Sequence, residues 1–331
     1  MERDHEPVSL VGERLQQVIV PAGAAPGAPW VRAIAELDGG PGPEQAVLLG
    51  ITAERLGLAT IPPPSASPRE ALADLARRMR GERAAADRQA LVEAALVMAL
   101  ARGAATPAAA ALLEALAGAL EVHDSTLTVF RRIAGGHLRL ARATLLRRLA
   151  APIVREAWES RGLSGVVQFT RVAFGKSPVA PERARRFAAL GALPEGTLGR
   201  GFVDHCRSRG LGLPGEPKGL SEVTVSHDFL HVLSGYDTDP RGELLIGGLT
   251  AGMQRADPFA ILVFVLCQFH LGVPISFVAS VDRGMLDASA LLHAWERGRA
   301  MSADLSRGWD LWDDVARPLD EVRARYGLAR E

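Results

Sequence analysis

The stretch Ala86-Asp87-Arg88-Gln89-Ala90-Leu91-Val92-Glu93-Ala94-Ala95-Leu96-Val97-Met98-Ala99-Leu100-Ala101 is built almost wholly from strong helix formers. It lacks the strict alternation that a half-buried strand requires. Arg102-Gly103 follows it, and glycine is a natural helix stop. Thr106-Pro107 then opens a second helix that reaches Leu120. Similar punctuation recurs along the chain. Ser67-Pro68-Arg69-Glu70 combines an N-cap, a first-turn proline and a capping-box glutamate, and predicts a helix to about Met79, before Gly81. Asp239-Pro240 and Asp257-Pro258 mark two more starts, and Gly235 and Gly272 two more stops. In each start a polar side chain can cap free amides, while proline sits where its missing N–H costs nothing. The expectation is an all-α fold.

The 331 residues suggest two domains, since a domain averages about 150 residues. Gly162, Gly165, Gly175, Pro178 and Pro181 cluster where helical periodicity weakens, so a boundary is expected within 160–192. This gives two helical domains, over 25–160 and 185–330. Ile61-Pro62-Pro63-Pro64-Ser65 reads as a stiff loop. Hydrophobic residues make up 48% and charged residues 23%, as in soluble globular proteins. The 38 basic and 38 acidic residues cancel, which argues against nucleic-acid binding through overall charge. The start, Met1-Glu2-Arg3-Asp4-His5-Glu6, has the wrong chemistry for a signal peptide. The most apolar stretch, Phe259 to Leu271, is short for a membrane span and interrupted by Gln268 and His270. A cytoplasmic protein is expected, with peripheral membrane contact left open. Two cysteines, Cys206 and Cys267, exclude a disulfide scaffold and a cysteine-built zinc ribbon. Any metal must be held by His, Asp and Glu.

Those residue types converge in one segment, from Val225 to Glu243. His227 and His231 are four apart, which places both imidazoles on one helix face. Asp228 can flank that face as an oxygen ligand or as a proton-transfer group. Gly235 ends the helix, and Asp239-Pro240 starts the next with Glu243 in its first turn. A short-looped helical hairpin returns that turn to the first helix. The expected cluster is therefore His227, Asp228, His231 and Glu243, with Gly242, Gly247 and Gly248 allowing close approach of the second helix. Two nitrogens and two carboxylates suit Zn²⁺, Fe²⁺ or Mn²⁺.

This segment resembles the ubiquinone (coenzyme Q) biosynthesis protein 4 family, whose signature is His-Asp, two residues, His, eleven residues, Glu. His227-Asp228, His231 and Glu243 fit it without a gap. Leu193-Pro194-Glu195-Gly196-Thr197-Leu198-Gly199 is similar to the family's entry motif. Ala294-Trp295-Glu296-Arg297-Gly298-Arg299-Ala300, Trp309 and Pro318-Leu319-Asp320-Glu321-Val322-Arg323 are similar to its C-terminal helices. The resemblance implies a divalent metal, zinc foremost, on His227, Asp228, His231 and Glu243, with Asp228 alternatively a general base. It also implies a prenyl lipid or quinone precursor as ligand, other quinone-biosynthesis enzymes as partners, and oxidative decarboxylation of a prenylated aromatic head group. The alternative is a non-catalytic prenyl-lipid scaffold or carrier with a structural metal.

The helix pair over 86–120 resembles the tellurite-resistance TerB-like helical domain, over residues 30–135. In that family a helix ends in an Ala-Asp-Gly turn and the next helix carries an acidic residue. Here Arg102 and Ala109 stand near those places, so the ligands are missing. The implication is a packing or dimerisation module, and hence a homodimer. Asp124, beside His123, is expected to cap a helix from Ser125. The apolar helix from Pro258 to Leu271 is expected in the core, with a prenyl-binding groove as the alternative. His270 is expected as a polar surface tip, Asp204-His205-Cys206 as a helix surface, and Arg297 and Arg299 as exposed helix arginines or head-group holders.

Overall fold

A computed structural model describes residues 18–64, 67–81, 84–173, 179–220, 225–254, 257–276, 279–306 and 308–328. The charged start of the chain, Gly175 and Pro178 lie outside them. The protein is all-α: 65% of it is helical, and no strand occurs among the described residues. The helices are α1 (Ala28–Glu36), α2 (Pro43–Arg55), α3 (Pro68–Arg78), α4 (Ala85–Leu100), α5 (Pro107–Ala119), α6 (Ser125–Ala134) and α7 (Leu138–Ala173). After them come α8 (Pro181–Ala189), α9 (Leu198–Ser208), α10 (Val225–Ser234), α11 (Pro240–Met253), α12 (Pro258–Phe269), α13 (Ala288–Ala300) and α14 (Leu319–Tyr326).

The expected starts hold. Pro68, Pro107, Pro240 and Pro258 each occupy the first helical turn. Thr106 accepts from the Ala109 N–H at 3.2 Å, and Asp124 from the Thr126 N–H at 2.7 Å. Ser67 and Asp257 depart from expectation: the Ser67 hydroxyl donates to the Glu70 carboxylate at 2.7 Å and makes no side-chain cap bond, and nor does Asp257. A two-pronged pair with Arg148 occupies the Asp257 carboxylate, at 2.6 and 2.8 Å. Arg148 also pairs with Asp124.

Apolar packing crosses the boundary expected within 160–192. α7 runs through Gly162 and Gly165, and it is 36 residues long. The larger apolar core joins α1, α2, α4, α5 and α6 to α12 and to faces of α11 and α13. α4 is buried all round from Ala90 to Leu100, which makes it the centre of this core. The smaller core gathers α8, α9, α10 and α14 against the other face of α11. Leu244 and Ala251 of α11 face the larger core, while Ile246, Leu249 and Met253 face the smaller one. α11 is thus a wall common to both.

Glycine makes that wall thin. A Cβ on Gly252 would stand 2.1 Å from the Trp295 carbonyl oxygen, and one on Gly298 would stand 2.1 Å from that of Leu249. α11 and α13 therefore touch backbone to backbone. Gly247 and Gly248, expected to admit the first helix of the metal hairpin, instead receive Val265 of α12 and Leu291 of α13.

Polar contacts tie the two halves. Glu44 accepts from the Ala288 N–H at 2.7 Å, and Arg55 pairs with Glu296. Within the first half, Arg102, at the turn after α4, donates to the carbonyls of Asp38 (2.6 Å) and Gly40 (2.8 Å). α12 is buried on nearly all sides, as its composition suggests, with Ile261 and Phe264 only partly covered. His270 at its end is no surface tip. It is 6% exposed, its Nε2 lies 3.1 Å from the Ala101 carbonyl, and its Nδ1 accepts from the Leu286 N–H at 3.3 Å.

Burial holds the His270 pKa below its ordinary 6.5, against the raising effect of the Ala101 carbonyl. A second ring proton would meet the Leu286 N–H. The unfolded chain therefore takes up this proton before the folded one does. The contact's contribution is complete above about pH 6.5 and is lost as pH falls below it. The urea midpoint is expected to drop between pH 7.5 and 5.5, and His270→Gln to shrink that drop. An undiminished drop in the variant would show that His270 is not the group responsible.

Candidate metal centre

α10 and α11 build the site as a hairpin. Gly235, at φ +85°, ends α10 in a conformation that L side chains rarely adopt. Asp239 then caps α11 through the Gly242 N–H at 2.7 Å. Gly242 is required there, since a Cβ would overlap the Asp237 carbonyl oxygen at 1.8 Å. This tight entry sets Glu243 in the first turn of α11, facing His227 and His231.

The three ligand groups converge. His227 Nε2 lies 3.2 Å from His231 Nε2 and 3.2 Å from Glu243 Oε2, and His231 Nε2 lies 3.4 Å from Glu243 Oε1. Donors about 2 Å from one ion at tetrahedral angles lie about 3.3 Å apart. The two imidazole nitrogens therefore match one edge of a tetrahedron; one donor atom from each of the three residues lies within 4.8 Å of the others, and the trio could hold a divalent metal. The tautomer agrees. His231 Nδ1 lies 3.1 Å from the Tyr236 carbonyl, which only accepts, so Nδ1 carries the proton and Nε2 offers its lone pair to the centre. Side-chain exposure is 40% at His227, 25% at Glu243 and nil at His231, so the site is reached from the His227 side.

Charge at the centre is balanced by opposition. Burial pushes the Glu243 carboxyl up, but the adjoining imidazoles outweigh it and hold it at about 2. Burial works against a proton on His227, yet the carboxylates of Glu243 and Asp228 raise its pKa.

Asp228 lies beside the trio rather than in it. It is 7% exposed, and its Oδ2 is buried without a hydrogen-bond partner among the described residues. Burial pushes its carboxyl up to about 6, against the lowering effect of His227 and His231.

A scaffold not foreseen from sequence holds α10. Phe202 stacks on Phe229 at 4.0 Å between ring centroids, and Trp309 meets Phe229 edge-on at 5.8 Å. Arg323 of α14 donates to the carbonyls of Leu233 (2.8 Å) and Val232 (3.4 Å) at the helix C-terminus. Arg297 is buried rather than exposed. It donates to the Ser234 carbonyl at 3.1 Å and covers the Tyr236 ring at 4.9 Å. It thereby steadies the residue whose carbonyl orients His231. Arg299 is exposed and lies over Trp295.

Asp204-His205-Cys206 is only partly a surface. Asp204 is exposed, whereas His205 and Cys206 are buried. The His205 ring lies nearly parallel to His231 at 5.7 Å, and its Nε2 is buried without a partner among the described residues. Burial, then Arg209 and His231, hold its pKa at about 4, so it stands beside the site as a neutral imidazole. Burial, with Asp228 beside it, pushes the Cys206 thiol up to about 12, and burial does the same for Cys267. Neither is an activated nucleophile.

No family model, curated protein or solved structure matches this chain.

Proposed function

We propose that this chain is a divalent-metal protein, with zinc the best-suited ion and iron or manganese next, that acts on the oxygenated head group of a prenyl-type lipid such as a quinone precursor. The observation that carries the metal reading is the convergence of one donor each from His227, His231 and Glu243 within 4.8 Å of one another, with the two imidazole Nε2 atoms 3.2 Å apart. The lipid and the head-group chemistry rest on the sequence resemblance. When bound, the ion supplies a Lewis acid for an oxygen of the ligand.

The chain's own groups have separable tasks. Two neutral imidazoles and one carboxylate leave a divalent site with net positive charge, which favours an anionic oxygen such as a head-group carboxylate. The Tyr236 carbonyl fixes the His231 ring. Asp228 keeps an unpartnered buried oxygen beside the trio, which suits a proton acceptor once hydrogen-bond reach is made.

Elemental analysis with native mass spectrometry of the purified chain tests this reading. One divalent ion per chain is expected. Carbon dioxide release from a prenylated, carboxylated phenol should stop on chelation and return with metal. Turnover that survives full metal removal would sink the metal-dependent reading. Co-purifying prenyl lipid without turnover would indicate a carrier instead.

A further inference from the structure

The metal centre leaves α7 without a task. Ala141, Thr144 and Leu145 are buried near its start, and Arg148 is pinned to Asp124 and Asp257. The opposite face is open. Leu140, Ala143, Arg147, Ala151, Arg155 and Trp158 are all exposed, with Trp158 at 58% and Leu140 at 54%. At helical spacing these residues fall within one sector, so the stripe is continuous over five turns. Arg139 and Glu159 are exposed on its flanks.

The charge is one-sided as well. Residues 138–173 carry seven arginines against two glutamates in a chain whose total charge is zero; Arg148 is neutralised by Asp124 and Asp257, and the exposed charges about the stripe are Arg139, Arg147 and Arg155 against Glu159. An apolar stripe with tryptophan and leucine at its ends and arginine between them is the chemistry of a helix lying in a bilayer interface. The rings and aliphatic carbons enter the acyl boundary, while guanidinium groups on long stems reach lipid phosphates. A second copy fits poorly. Antiparallel pairing of the stripe about Ala151 sets Arg147 against Arg155, and parallel pairing sets each arginine against itself.

We propose that the outward face of α7 docks on an anionic lipid surface. The helix lies flat, since no helix among the described residues is long and apolar enough to cross a membrane. The docking does not depend on the metal.

Vesicle co-sedimentation of the full chain at low salt tests it. The vesicles are phosphatidylcholine alone, or phosphatidylcholine with about a third phosphatidylglycerol. A surface arginine contributes about 1 kcal/mol on such a surface, roughly five-fold in partitioning. The chain is expected to bind the mixed vesicles at least about ten-fold more strongly than the neutral ones. R147E/R155E should lose that preference, and W158E should weaken binding several-fold. All three positions are exposed, and unchanged circular dichroism would verify their folding. His231→Ala should bind vesicles as the parent chain does, which separates this result from the fate of the metal reading. Equal binding to both vesicles, no binding, or variants that bind like the parent would overturn the proposal. So would a change of oligomeric state with W158E in light scattering, which would assign the stripe to a second copy.

Discussion

His231→Ala is expected to lower divalent-metal affinity by more than about 100-fold, a larger loss than removal of an outer-shell partner produces. The side chain is fully buried, its Nδ1 is committed to the Tyr236 carbonyl, and its Nε2 stands 3.2 and 3.4 Å from the other two donors. Alanine removes one corner of the trio, and no other imidazole among the described residues is placed to replace it. His205 is the nearest, but its ring lies 5.7 Å away and parallel to that of His231. Competition with a metal-binding dye, for parent and variant, measures the loss. Affinity within ten-fold of the parent would mean that the ion, if bound, sits elsewhere. In the parent, affinity should also fall as pH drops, because the imidazoles must shed their protons to bind.

Arg148→Ala is expected to destabilise the fold by about 3–5 kcal/mol, the usual cost of stranding buried charge. Arg148 pairs with Asp124, whose side chain is 8% exposed, and grips Asp257 with two bonds. Glu93 lies near the same group. It is 2% exposed, and burial pushes its carboxyl up to about 7. Without the guanidinium, Asp124 and Asp257 face each other's charge with no cation between them. They come from opposite halves of the chain, so the damage falls on the junction as well as on α7. Urea unfolding reads the loss as a lower midpoint. A shift below about 1 kcal/mol would place Arg148 among ordinary surface pairs.

Local signals carried far in this sequence. Proline after a capping residue marks α3, α5, α11 and α12 at their observed starts. The four-residue histidine spacing and the Asp239-Pro240 restart bring three of the four expected ligands together. Such features act within a turn or two, where residue type and spacing largely decide conformation. Contacts made across long separations left no comparable mark. Arg297 is 63 residues from the carbonyl it binds, and Arg323 is 90 from Leu233. Each looks like any arginine on a helix until the helices are packed. His205 has the same difficulty, since only the α9–α10 contact turns it inward. The glycines near 160–165 suggested a break, yet a helix tolerates isolated glycine at a cost of about 1 kcal/mol each.

The place of α11 between two cores bears on how the chain acquires its shape. During synthesis the first 150 residues emerge well before α11, α12 and α13. Until those arrive, α4 lacks α12, one of the helices that pack against it. The α10–α11 hairpin cannot settle early either, because its second helix needs neighbours on both sides. The two halves therefore mature together, and His227, His231 and Glu243 come into register as a late product of that joint closure.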